Sequence, residues 1–151
     1  MKYIIRQATA TDEKRICELY REMLQTIYHT EEAEGYKAGD LDKFWTSDED
    51  RIFVAENETV IGFLSVEIHH ENEDYIYLND FAVTKGYRNK GIGSALLEVA
   101  ESYAREINTP KLCLHVEKTN LAAMRLYENA GYAIFRDDGY RFLMNKEISS
   151  N

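Results

Sequence analysis

The sequence predicts a mixed α/β fold: a mostly antiparallel central sheet with helices on both faces. Three observations predict it. Segments of strand character and segments of helical periodicity follow one another in the order β-α-(α)-β-β-β-α-β-α-β-β. Short polar turns, Asn57-Glu58 and Asp137-Asp138-Gly139, join neighbouring strand segments. With 151 residues, 44% of them hydrophobic and one of them proline, the chain is long enough to bury a core and is expected to form one domain, 1–151.

Each element has its own signal. Tyr3–Arg6 reads as a first strand. Thr11 before Asp12 and Glu13 reads as a helix start, with a capping hydroxyl and acids in the first turn. Ile16, Leu19, Tyr20, Met23, Leu24 and Ile27 then give that helix one apolar face. Residues 29–50 hold eight acids against Lys37 and Lys43 and supply −6 of the net charge of −9. They read as a loop with a short helix near Leu41–Trp45. Arg51–Glu56 and Val60–Ile68 are strands, His69–Asp74 is a polar connection, and Tyr75–Val83 is the next strand. Ile92, Ala95, Leu96, Val99, Ala100, Tyr103, Ala104 and Ile107 keep i, i+3, i+4, i+7 spacing until Asn108-Thr109-Pro110 stops the helix. Lys111–Glu117 is a strand with Leu112, Leu114 and Val116 on one face. A further helix runs from Asn120 as N-cap to Gly131 at the C′ position. Tyr132–Phe135 and Tyr140–Lys146 are the final strands.

Composition excludes several function classes. No apolar run approaches the roughly 20 residues that cross a membrane. Met1–Arg6 turns polar too soon for a signal peptide. Cys17 and Cys113 lack metal-type spacing and read as reduced thiols of a cytoplasmic protein. A net charge of −9 argues against general nucleic-acid binding.

Against that negative background, Asp80-Phe-Ala-Val-Thr-Lys-Gly-Tyr-Arg-Asn-Lys-Gly-Ile-Gly-Ser94 is locally basic through Lys85, Arg88 and Lys90. A strand leads into a glycine loop, and the loop leads into a helix. That order builds an anion site, because the first amides of a helix have no internal partner and the helix dipole adds positive potential there. Gly91 and Gly93 leave room for phosphates to approach the backbone. Gly86 and Gly91 have the spacing of a P-loop, but Ile92 and Gly93 stand where lysine and a hydroxyl are required. A dinucleotide fingerprint fails at Leu96, where its third glycine should be.

Arg88-Asn-Lys-Gly-Ile-Gly93 matches a third pattern, [R/Q]-x-x-G-x-[G/A]. Farther on, Asn120, Ala123, Leu126-Tyr127 and Gly131-Tyr132 match N-x-x-A-x-x-L-Y-x-x-x-G-[FY]. With both motifs in this order, the chain resembles the GNAT superfamily of acyl-CoA-dependent N-acetyltransferases over about residues 75–135. The resemblance implies a GNAT-like sheet whose strands Tyr75–Val83 and Lys111–Glu117 splay apart to admit acetyl-CoA. It implies that Arg88, Asn89, Lys90, Gly91, Ile92, Gly93 and Ser94 hold the pyrophosphate. It also implies that Phe81-Ala82-Val83 pair with the pantetheine arm through backbone groups, and that Asn120 and Tyr127 contact the cofactor. No metal is expected. Family members often form homodimers, so a homodimer is an expectation.

Acetyl transfer needs a deprotonated amine, and the departing thiolate gains from a proton. A phenol near ~10 is a workable acid for a thiol near ~8.5. Tyr127 is the candidate acid. For the base, the family's glutamate place on the strand before the loop holds Asn79. Asp80 beside it points to the opposite face of an ideal strand, and His115 and Glu117 lie on the strand after the long helix. The acceptor is expected to be a small-molecule or protein amine. A cationic one would be drawn to the acids and aromatics of residues 29–50, which in the family roof the acceptor site. The alternative is a non-catalytic acyl-CoA-binding module that keeps the fold without the chemistry. A nucleotide-binding switch is a third reading, and the missing P-loop lysine counts against it.

Overall fold

The computed structural model describes residues 2–148. Its strands are β1 (Ile4–Gln7), β2 (Arg51–Glu56), β3 (Val60–His69), β4 (Tyr75–Val83), β5 (Lys111–Glu117), β6 (Ala133–Asp137) and β7 (Arg141–Glu147). They form one seven-stranded sheet in the order β1-β2-β3-β4-β5-β7-β6. Only β4 and β5 run parallel. The helices are α1 (Glu13–Tyr28), α2 (Asp42–Thr46), α3 (Ile92–Glu106) and α4 (Leu121–Asn129).

Strand alternation divides the core between the two faces. Phe53 and Ala55 of β2 join Leu96, Leu97 and Ala100 of α3 in one cluster. Ile52 and Val54 of the same strand join Ile16 and Leu19 of α1 and Phe44 of α2 in the other. At roughly 1.5–3 kcal/mol per large apolar side chain, each helix is held by its face rather than by intrinsic propensity.

The first helix starts differently from the expected Thr11 cap. Thr9 precedes a 3₁₀ turn, Ala10–Asp12, and Asp12 accepts the Thr9 amide at 2.9 Å. Arg6 donates to the same carboxylate at 2.8 and 2.9 Å. A carboxylate fixed by a guanidinium is the stronger acceptor, and the Thr11 hydroxyl meets only that of Thr9.

The strand β4 carries an irregularity at its polar pair Asn79-Asp80. Leu64 pairs with Phe81 but Val66 pairs with Leu78, so Asn79 and Asp80 together oppose Ser65. The Asp80 amide donates to Ser65 Oγ at 2.8 Å, which pins this β-bulge. The bulge shifts the phase of the strand. Ile76 and Leu78 face α3, whereas Ala82 faces α1. Asn79 and Asp80 therefore both turn to the α1 side, which corrects the expectation that they oppose each other. Asn79 reaches Glu67, which also pairs with Lys43 of α2, and Asp80 reaches Tyr36.

Past the bulge, β4 loses β5. The two strands pair only at Ile76–Leu78 with Leu112–Leu114. The expected splay is present and opens toward the C-terminal ends of both strands.

Candidate active site

Where β4 and β5 part, a cavity of about 750 Å³ opens. Its walls are the end of β4, the glycine loop, the first turn of α3, the end of β5, one side of α4 and the second half of α1. The apolar face expected for α1 is thereby divided. Ile16 and Leu19 enter the core, while Leu24 and Ile27 line the cavity.

One wall is an amide cradle. Gly91 is the N-cap of α3, with φ 85° and no side-chain capping bond, and the first rung of the helix is Ala95 N–H to Gly91 O. The amides of Ile92, Gly93 and Ser94 come before that rung, so they lack an intrahelical acceptor. Asn89 is also left-handed, at φ 61°. A Cβ on Gly91 would meet nothing within 4 Å, whereas one on Gly93 would lie 3.1 Å from Phe81 and 3.3 Å from Leu126. Gly91 thus keeps the approach open. Gly93 lets α3 pack against β4 and α4, a different reason from the one its sequence suggests.

Arg88 is committed to bracing this loop. Its Nε donates to Val83 O at 2.8 Å, and its guanidinium pairs with Glu22 of α1 at 3.0 Å. Glu22 also accepts from the Thr84 hydroxyl and the Lys85 amide. Lys90 is exposed. Arg88 lines the cavity, but its guanidinium is also paired with Glu22. The helix start adds positive potential there.

Tyr127 stands on the opposite wall in the last turn of α4. Its ring lies 6.2 Å from that of Phe81 and 6.3 Å from that of Tyr132. Burial pushes its phenol up, with a contribution from the neighbouring Tyr77. Its hydroxyl has no hydrogen-bond partner among the described residues, so it is free to donate into the cavity. Asn120 caps α4 by accepting the Ala123 amide at 3.2 Å and lines the same cavity. Phe81, Ala82 and Val83 complete the β4 wall.

The acceptor-side candidates are also brought together. Asp80 accepts from the Tyr36 hydroxyl at 2.6 Å, and burial pushes its carboxyl up, opposed by that hydrogen bond. Glu117 accepts from Tyr28 at 2.6 Å. His115 is bonded at both nitrogens, to Tyr77 at 2.7 Å and to Asp138 at 2.8 Å. None of the eight acids of residues 29–50 lines the cavity. Several hold the chain together locally: Asp40 accepts the Lys37 amide and Asp50 the Ile68 amide. Trp45 and Phe44 pack into the α1-side cluster. The acids that do reach the cavity are Asp80 and Glu117.

Sequence reasoning missed Tyr77 and Glu22, and it read Asp138 only as a turn. The one available signal was that Tyr77 and His115 share a strand face once β4 and β5 are set parallel. Among the described residues no cluster of metal-ligating groups is present, and no helix is long and apolar enough to cross a membrane.

Comparison with known proteins adds four findings. The family model described as acetyltransferase (GNAT) family matches residues 13–132. A mycothiol acetyltransferase of Corynebacterium glutamicum is 29% identical over 90 residues, but the match spans only 30% of that relative's length and 60% of this chain. An uncharacterized N-acetyltransferase of Methanocaldococcus jannaschii is 33% identical over 131 residues, covering 85% of this chain and 77% of its own. Among solved structures, the PaiA N-acetyltransferase of Thermoplasma acidophilum, crystallised with coenzyme A, superposes with a TM-score of 0.80 at 20% identity. That alignment covers 98% of this chain and 100% of the other, and it bears on the fold alone.

Proposed function

The chain belongs to the acetyltransferase (GNAT) family, and on that footing we propose that it moves an acetyl group from acetyl-CoA to the nitrogen of a primary amine. The observation that carries this reading is the convergence of two features on one cavity: the free first turn of α3 and the phenol of Tyr127, which has no hydrogen-bond partner among the described residues. The residues present fit the donor. The cradle has open space at Gly91, and the β4 edge beyond Leu78 is free of β5.

When bound, acetyl-CoA supplies the thioester that the amine attacks. The amides of Ile92, Gly93 and Ser94, with the backbone of Asn89 to Gly91, hold its pyrophosphate. Phe81, Ala82 and Val83 present backbone groups to its arm, as an added strand would meet a sheet edge. Asn120 contacts it from α4. Tyr127 stays protonated through the neutral range because its phenol is buried, and it donates that proton to the departing sulfur. Asp80 and His115 stand on the acceptor side as candidate proton acceptors.

The test is to mix the protein with acetyl-CoA and a panel of primary amines and to follow free thiol. Amine-dependent thiol release is expected. Saturable acetyl-CoA binding without release for any amine would leave a binding module and overturn the transfer reading.

A further inference from the structure

We infer that the acceptor is a free amino acid, and that Arg141 at the start of β7 grips its carboxylate while its amine is acetylated. This rests on the acetyl-transfer reading above and names the substrate class of that same site.

Apart from tyrosines, five titratable side chains line the cavity: Asp80, Arg88, His115, Glu117 and Arg141. Four of them are engaged. Asp80 accepts from Tyr36 and Glu117 from Tyr28, each at 2.6 Å. Arg88 pairs with Glu22, and His115 is bonded to Tyr77 and Asp138. The Arg141 side chain makes no hydrogen bond and no ion pair among the described residues. Its guanidinium lies 5.6 Å from the ring of Tyr140, which is itself exposed.

The other arginines that are not exposed are all matched. Arg6 and Arg15 pair with carboxylates, as Arg88 does, and Arg51 sits over the Tyr103 ring at 4.3 Å. The chain holds 27 acids against 18 lysines and arginines, so carboxylates are plentiful. A half-buried guanidinium without one, on a cavity wall, is open to an anion that enters from solution.

Position assigns that anion to the acceptor. Arg141 stands directly opposite Glu117 of β5, and such partners share a face of the sheet. Glu117 in turn holds Tyr28 at the end of α1, so Arg141 lies toward the α1 side of the cavity mouth. Its charge is felt inside: burial pushes the Tyr77 phenol up to about 12, and Arg141 acts in the opposite direction. The phosphates of the donor have their own site in the amides at the start of α3.

The chemistry is that of a zwitterion. A planar guanidinium meets a carboxylate through two parallel N–H···O bonds, which fixes orientation as well as position. An amine without an acid group would meet only repulsion from Arg141. Asp80 and Glu117 offer the opposite sign to the ammonium end. Holding the carboxylate in the fork leaves the nitrogen a single short tether, which limits the directions from which it meets the thioester.

The test compares three acceptors of one shape with acetyl-CoA: phenylalanine, phenylalaninamide and phenethylamine. Thiol release by the unaltered protein should favour phenylalanine over both others by about 10-fold or more in kcat/KM. Arg141→Gln should raise KM for phenylalanine about 10- to 100-fold with a much smaller change in kcat, and should bring the three acceptors within about threefold of one another. Arg141→Lys, which keeps the charge without the fork, should recover part of the preference. Equal or better use of the two acceptors without a carboxylate overturns the inference and leaves acetyl transfer standing, and it needs no variant. An Arg141→Gln loss of equal size for all three acceptors overturns it as well. Weaker acetyl-CoA binding by calorimetry in Arg141→Gln would give the guanidinium to the donor instead. Thiol release with none of the three, despite acetyl-CoA binding, ends the transfer reading and this inference with it.

Discussion

Replacing Tyr127 with phenylalanine isolates the leaving-group proton. The hydroxyl has no hydrogen-bond partner among the described residues, so its removal strands no donor or acceptor there. The ring contacts with Phe81 and Tyr132 remain. Stability should therefore change by no more than about 1 kcal/mol. The rate should change far more. A positioned general acid contributes about 10²–10⁴-fold, and a thiol near ~8.5 is already a fair leaving group, so the low end applies. A loss of about 10² in kcat corresponds to about 2.7 kcal/mol of barrier. Steady-state thiol release gives kcat, calorimetry gives acetyl-CoA affinity, and thermal unfolding checks the fold. Unchanged kcat would refute the acid role. So would a loss matched by an equal loss of donor affinity, because that would mark Tyr127 as a binding residue only.

Three further outcomes are expected. Gly91→Ala forces a side chain into φ 85°, which costs about 1–2 kcal/mol in thermal unfolding, and its Cβ also narrows the phosphate approach, so acetyl-CoA affinity falls too. Undiminished stability would show that the loop relaxes out of that conformation. Ser65→Ala removes the acceptor of the Asp80 amide and should cost about 1–3 kcal/mol, with weaker acetyl-CoA binding as the β4 bulge slips. Unaltered affinity would separate the bulge from the site. Asp12→Asn should flatten the acid side of the stability profile. Arg6 holds the Asp12 carboxyl below its ordinary 3.8, so the unfolded chain binds that proton more tightly. The stabilisation is full above the ordinary value and is lost as pH falls through the folded one. Unfolding midpoints measured across that window check it, and an unchanged slope would contradict it.

Much of the site was readable because its parts are local. The start of α3 after a glycine, the Asn120 cap and the left-handed Gly131 each depend on a few neighbouring residues, and all three stand where the spacing puts them. What escaped depends on partners far along the chain. In Tyr75-Ile-Tyr-Leu-Asn-Asp-Phe-Ala-Val83 the adjacent polar pair Asn79-Asp80 interrupts the alternation, but only the opposing Ser65 shows that a bulge there turns Asp80 into the cavity. Arg88 reads as a free cation until Glu22, on α1, is seen to hold it. Tyr77, His115 and Asp138 come from two strands and a turn, and no spacing rule joins them. The acidic stretch shows the same limit. Charge density is visible in sequence, but whether a carboxylate faces a cavity or a backbone amide is not.

The central claim is that the first turn of α3 receives the pyrophosphate of acetyl-CoA. A crystal structure of the protein with acetyl-CoA tests it directly. The account expects phosphate oxygens within hydrogen-bond distance of the amides of residues 91–94 and the thioester beside the Tyr127 hydroxyl. Pyrophosphate bound elsewhere, or a cradle closed by side chains while the donor sits on another surface, would contradict it.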